Sequence, residues 1–162
     1  MFRQMRRKNQ QLSLEECSEI LVNGSSGVLA LEGDDGYPYA VPLSFVYNDK
    51  KIFFHSAKTG HKIDSIKSND KASFCVIARD DVRPEEYTSY FKSVIAFGKI
   101  RILKDEEEIR KAIALLAIKY NSQDNIEKRE RAIEAGYANL CMLELKVEHL
   151  TGKQAKELID KK

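Results

Sequence analysis

The turns constrain this chain more than any other feature. "GVLALE", "YPYAVPLSFVYN" and "KIFFH" have the length and pattern of strands, and only "GDDG" and "NDKK" separate them. Turns that tight join antiparallel neighbours. A parallel pair needs a crossover of a dozen or more residues, and too little helix lies between these runs to supply it. A short helix follows at Gly60–Lys67, and then "KASFCVIA" is a fourth strand and "YFKSVIAFGKIRIL" a long fifth. The sixth is "LCMLELKVEHL", in which Leu143, Leu145 and Val147 alternate with Glu144, Lys146 and Glu148. The polar "RDDVRPEEYTS" reads as a loop. The expected fold is mainly β (α+β): six antiparallel strands curled into a small barrel, with peripheral helices.

The helices carry their own signals. Ser13 and Glu16 make a capping box, with Leu12 placed as a staple, before a helix over Leu14–Val22 that stops at Asn23-Gly24. "DEEEIRKAIALLAIKY" is acidic at its start and sets Ile109, Ala112, Ile113, Leu116 and Tyr120 on one face. A further helix covers about Ile126–Ala135. Pro38 and Pro42 cannot donate to a ladder, so the second strand should be an edge, bulged, or irregular where something docks. Tyr37, Tyr39, Phe45 and Tyr47 on it read first as packing residues.

The 162 residues suit one domain over 1–162, with a basic tail at 1–11 and a C-terminal tail at 151–162. A domain of this size buries roughly 70% of its unfolded surface. A net charge of +2 does not favour nucleic acid, and the cluster Arg3, Arg6, Arg7 and Lys8 reads as a solvated end. No apolar run approaches the roughly 20 residues of a membrane span, and "MFRQMRRKNQQ" lacks the apolar stretch of a secretory signal. Cys17, Cys75 and Cys141 are too scattered for a disulfide framework or a zinc site and read as reduced thiols, which makes cytoplasm the expected compartment.

The segment with most chemistry is "FFHSAKTGHKIDSIK", Phe53–Lys67. A strand gives way to a helix through a glycine, with Ser56 and Thr59 as hydroxyl donors and Lys58, His61 and Lys62 as cations. Free N–H groups at a helix start, a partial positive charge and close backbone approach make an anion site, with phosphate its natural occupant. An ordinary turn capped by Thr59, with solvated lysines, fits the same residues. A metal held by His55 and His61 has neither the spacing nor the further ligands, so no metal is expected. No Walker lysine motif or GxGxxG is present.

The ordered set G-YPY-VP, FFH-A--GHK and S-I-FG resembles the flavin-binding core of the pyridoxamine 5′-phosphate oxidase-like superfamily, the FMN-binding split barrels. Its pattern is most similar to the nitroimidazole-resistance (Nim-type) group, and the likeness runs through "RPEEYTSYFKSVIAFGKIRIL" and "LCMLELKVEHLTGKQA". The resemblance implies FMN as cofactor. Val41, Pro42 and Leu43 would lie beside the isoalloxazine ring, and His55, Ser56 and Ala57 beside the ribityl chain and ring edge. His61 and Lys62, helped by Lys58, would grip the phosphate. It further implies a homodimer with FMN at the interface, where the partner subunit lends residues near Ser93 and from the Tyr87–Phe91 region. Separately, the "TGK" after His149 could bring Lys153 near the second subunit's flavin, and its role stays open.

The chain departs from true pyridoxamine phosphate oxidases, whose C-terminal segment carries tryptophan and arginine. This one has no tryptophan and ends "TGKQAKELIDKK". The expectation is therefore an FMN-dependent oxidoreductase that reduces small molecules such as nitroaromatics, with NAD(P)H as the candidate donor, and not a pyridoxamine phosphate oxidase. No catalytic nucleophile is identifiable, and His55 is the candidate for proton transfer. The alternative is a non-catalytic flavin- or haem-binding carrier or sensor. A nucleic-acid-binding barrel using Lys58 and Lys62 is disfavoured by the charge balance.

Overall fold

The structure is a computed structural model that describes residues 1–159. The last three residues of the expected C-terminal tail lie outside the described residues. Four helices, α1 (Leu14–Asn23), α2 (His61–Ser68), α3 (Glu106–Tyr120) and α4 (Ile126–Tyr137), surround one sheet. Its strands are β1 (Ser26–Glu32), β2 (Pro38–Ser44), β3 (Val46–Asn48), β4 (Lys51–Ser56), β5 (Lys71–Arg83), β6 (Thr88–Ile102) and β7 (Cys141–Gln154). All pairings are antiparallel, in the order β2-β1-β5-β6-β7-β4-β3.

Seven strands replace the expected six because "YPYAVPLSFVYN" is two strands. β2 pairs with β1 at one margin of the sheet and β3 pairs with β4 at the other. The chain crosses between margins at Phe45, whose side chain is fully buried. Its backbone N–H donates to the Tyr120 hydroxyl at 2.9 Å, and the hydroxyl also contacts the Phe45 and Ser25 carbonyls. One tyrosine at the end of α3 thus serves the polar groups freed where the ladder stops. The two margins are not hydrogen-bonded to each other, so the sheet curls without closing.

The expected loop at 79–89 is largely strand. Asp81 accepts from Arg79 at 2.9 Å and Arg83 at 2.7 Å, and both guanidiniums lie over the Tyr90 ring. Those contacts carry β5 and β6 outward as a long polar hairpin. β7 likewise runs on to Gln154, because the length of β6 gives it a partner there, so the expected C-terminal tail begins inside a strand. The N-terminal tail is also partly engaged. Gln10 is buried, Gln11 bridges to Lys153, and the Phe2 ring stacks on His149 with centroids 4.7 Å apart.

Two apolar clusters fill the structure. The larger, inside the curled sheet, includes Leu29, Phe45, Phe54, Phe74 and Leu143 and is closed by Cys17 and Leu21 of α1 and Ile63 and Ile66 of α2. The smaller packs Ala112 and Leu116 of α3 on Val46, Phe53, Leu103 and Met142, as the helical pattern predicts. The Ser13–Glu16 capping box forms in full. β7 bulges at Glu148, where Phe97 and Gly98 of β6 face His149 and Val147, and a Cβ on Gly98 would meet the Lys146 carbonyl oxygen at 1.9 Å. Only glycine lets these backbones approach so closely.

Candidate functional site

The site forms where the sheet stays open. β2 has a neighbour on one side only, and Tyr39, Val41 and Leu43 turn inward while Pro38, Ala40, Pro42 and Ser44 stay exposed. The two prolines therefore sit on an edge strand, as their missing N–H groups predict. β3 covers β4 only over Lys51–Phe53, so the end of β4 at His55 and Ser56 lacks a strand on that side. β2 and β4 touch without forming a ladder. Val41, Pro42 and Leu43 lie on one lip of the split, and His55 and Ser56 on the other.

Past Ser56, Ala57–Thr59 lead to Gly60, which adopts φ 115° and is the N-cap of α2. No side chain caps the helix among the described residues, so Thr59 does not fill the capping role that an ordinary turn would give it. Gly60 accepts from Ile63 at 2.8 Å and Asp64 at 3.1 Å, which leaves the earlier N–H groups of the first turn available to an anion. The positive φ favours glycine, and a Cβ there would meet nothing within 4 Å.

The cations divide. Lys62 is half-buried, and that burial pulls its ammonium below the ordinary value, while Cys141 nearby acts the other way. An arriving anion would offset the cost. Lys58 donates to the Ala138 carbonyl at 2.5 Å and so ties the junction to the end of α4. His61 leans to the opposite side, where it stacks on Tyr39 with centroids 4.0 Å apart and brings Nε2 to 3.7 Å from Asp34. Lys62 is the cation whose setting best fits a phosphate.

Sequence reasoning missed the far wall. His55 and Ser44 face a cavity of about 350 Å³ whose other side is α3 and α4, with Leu116, Tyr120, Ile133 and Gly136 among its lining. The apolar face of α3 was legible, but nothing in the pattern of α4 places it over His55.

On the outer surface of the sheet, Val28, Cys75, Ile95 and Thr151 form one cross-strand row. Ile77, Ser93 and Lys153 form the next. Val28, Ile77 and Ile95 are exposed there, and the Lys153 ammonium lies 5.4 Å from the Phe91 ring centroid. Ser93, Phe91 and Lys153 thus gather on one patch, away from Tyr87 at the hairpin tip.

A family model for pyridoxamine 5′-phosphate oxidase matches residues 13–154. The chain belongs to that family. No curated protein sequence matches it. Among solved structures, a Bacteroides thetaiotaomicron protein named for 5-nitroimidazole antibiotic resistance superposes with a TM-score of 0.74 at 21% identity, covering 89% of this chain and 86% of that one. A FAD-binding protein from Mesorhizobium loti gives 0.61 at 24%, covering 91% and 98%. A FAD- and haem-binding protein from Mycobacterium smegmatis gives 0.71 at 18%, covering 96% and 77%. At these identities the likeness is one of fold. No helix among the described residues is long and apolar enough to cross a membrane.

Proposed function

We propose that this member of the pyridoxamine 5′-phosphate oxidase family is a flavoprotein that binds FMN in the split between β2 and β4 and reduces small molecules such as nitroaromatics. The observation that carries the reading is the uncapped start of α2, with Gly60 at φ 115° and half-buried Lys62 beside it, at the open end of β4. First-turn N–H groups and one ammonium hold a phosphate, and the split runs on from them as a slot for a flat ring.

Val41, Pro42 and Leu43 form one edge of that slot through their backbone. His55, Ser56 and Ala57 form the other, and His55 is placed to give or take a proton near the ring. His61 and Lys58, engaged with Asp34 and Ala138, would have to turn to join Lys62. Bound FMN would supply the two-electron chemistry that these side chains lack. The exposed outer face, carrying Val28, Ile77 and Ile95, supports a homodimer that brings Ser93, Phe91 and Lys153 toward a second copy's site.

The deciding experiment is the visible spectrum of the purified protein, with released cofactor identified by mass. FMN is expected. Lys62→Ala should weaken FMN binding by about tenfold or more, the worth of one charged hydrogen bond. Unchanged affinity would remove the phosphate assignment. A haem-binding carrier is the second reading, favoured by the haem-binding neighbour of the same fold, and a Soret band would select it.

A further inference from the structure

A second cavity opens beyond the start of α2, and lysines ring it. Lys58 before α2, Lys67 in its last turn and Lys104 in the link from β6 to α3 line a space of about 470 Å³. That volume lies in the range of small-molecule sites, roughly 300–1,000 Å³. Gly60 and Lys62, which carry the flavin phosphate reading, are not among its lining residues.

The floor is aliphatic. Ile63, Leu103 and Met142 are buried there, while Ile102, Ile109 and Leu140 keep part of their surface open. Tyr137 stands at the α4 margin, held by the Arg110 guanidinium 4.6 Å from its ring centroid.

The charge of the rim is uncompensated. No carboxylate lines the cavity, and among the described residues none is within ion-pair distance of Lys58, Lys67 or Lys104. The acidic start of α3 is engaged elsewhere. Glu106 pairs with Arg110, Glu107 with Lys111 and Glu108 with Arg101, while the Asp105 carboxylate accepts the Glu108 N–H. Lys58 donates to the Ala138 carbonyl, a neutral group that leaves its charge in place. Burial pushes the Cys141 thiol up, against the pull of Lys58, Lys62 and Lys67, so it stays uncharged at neutral pH. Three positive charges therefore face one apolar floor.

We propose that this cavity binds an amphipathic phosphate monoester, with its head among Lys58, Lys67 and Lys104 and an alkyl chain on the aliphatic floor. Such a head carries about 1.5 to 2 negative charges at neutral pH and three acceptor oxygens. That suits three separate point-charge donors better than a carboxylate does. The site does not depend on the flavin reading and shares only Lys58 with it.

The test titrates the full chain with octyl phosphate by calorimetry, beside butyl phosphate, inorganic phosphate and octyltrimethylammonium. Octyl phosphate should bind saturably. Each methylene buried on the floor strengthens binding about three- to fourfold. Butyl phosphate should therefore bind at least about tenfold more weakly, and inorganic phosphate and the cation more weakly still. Lys67→Gln combined with Lys104→Gln removes two exposed rim charges and leaves the core intact. It should weaken octyl phosphate by about tenfold or more while FMN uptake stays as in wild type. FMN-saturated protein should still bind octyl phosphate. Equal affinity for the two esters, equal affinity in wild type and the double variant, a matching loss of FMN uptake, or one-for-one displacement by FMN overturns the proposal. Co-sedimentation with phosphatidic acid vesicles, lost in the double variant, would assign the head to a lipid, and octyl phosphate binding without it would assign a soluble ester. A protein that takes up FMN but no octyl phosphate overturns this site alone. One that takes up octyl phosphate but no FMN overturns the proposed function alone.

Discussion

Inside the curled sheet, Phe45 and Phe54 meet Phe74 edge to face, with centroids 4.8 and 5.0 Å apart and no exposed surface on any of the three. Under α4, Leu116, Tyr120 and Ile133, with Ala117, Ala132 and Gly136 among them, surround open space. The two regions lie on opposite sides of β4, yet one is packed to exclusion and the other held apart by ion pairs and caps. The first carries the stability of the domain, and the second leaves room for chemistry beside it.

That division can be broken at three places. Phe74→Ala removes the ring that both neighbours pack on and should cost about 3–5 kcal/mol, read from denaturant midpoints. A loss below 1 kcal/mol would mean that the core is not where stability resides. A smaller effect is expected at Glu144, buried on β7, which accepts from Arg101 at 2.8 Å and lies 3.0 Å from Lys51. Burial pushes its carboxyl up, but the hydrogen bonds from Arg101 and Lys51 outweigh that and leave it below the ordinary 4.5. A depressed carboxyl adds stability above its unfolded value and loses it as pH falls through the folded one. Glu144→Gln should therefore cost on the order of 1–2 kcal/mol at pH 7, with the gap to wild type closing in acid below about 4.5. A pH-independent difference would refute the ionic role. The smallest effect belongs to α4: Gly136→Ala, where a Cβ would meet nothing within 4 Å, should stabilise by up to about 1 kcal/mol. A destabilised variant would show that α4 packs more tightly there than its open lining indicates.

Local rules made much of this legible. The Ser13–Glu16 box, the apolar stripe of α3 and the edge position of the proline strand follow from spacing and from missing N–H groups, and all three hold. The break at Phe45 was not legible, because "VPLSFVYN" alternates through it without a turn residue. What ends the ladder is the Tyr120 hydroxyl, which lies far along the chain. The hairpin beyond Ile77 was hidden for a similar reason: its strand character rests on ion pairs along β5 and on its arginines lying over Tyr90 of β6, which polar composition disguises as loop. At the site, the lysines and glycine of the junction could be read as an anion cradle. Their separate aims, with Lys58 toward Ala138 and His61 toward Asp34, depend on tertiary neighbours that no spacing reveals.

The crossing at Phe45 also governs how the domain can assemble. β1 and β2 form a local hairpin, but β4 pairs with β7, Lys51 opposite Lys146, so that seam waits until both halves of the chain have been made. Such distant pairings are the slow part of folding. A ligand lying across the split recognises only the completed molecule, so its binding energy adds to the stability of the whole domain and not of one lobe.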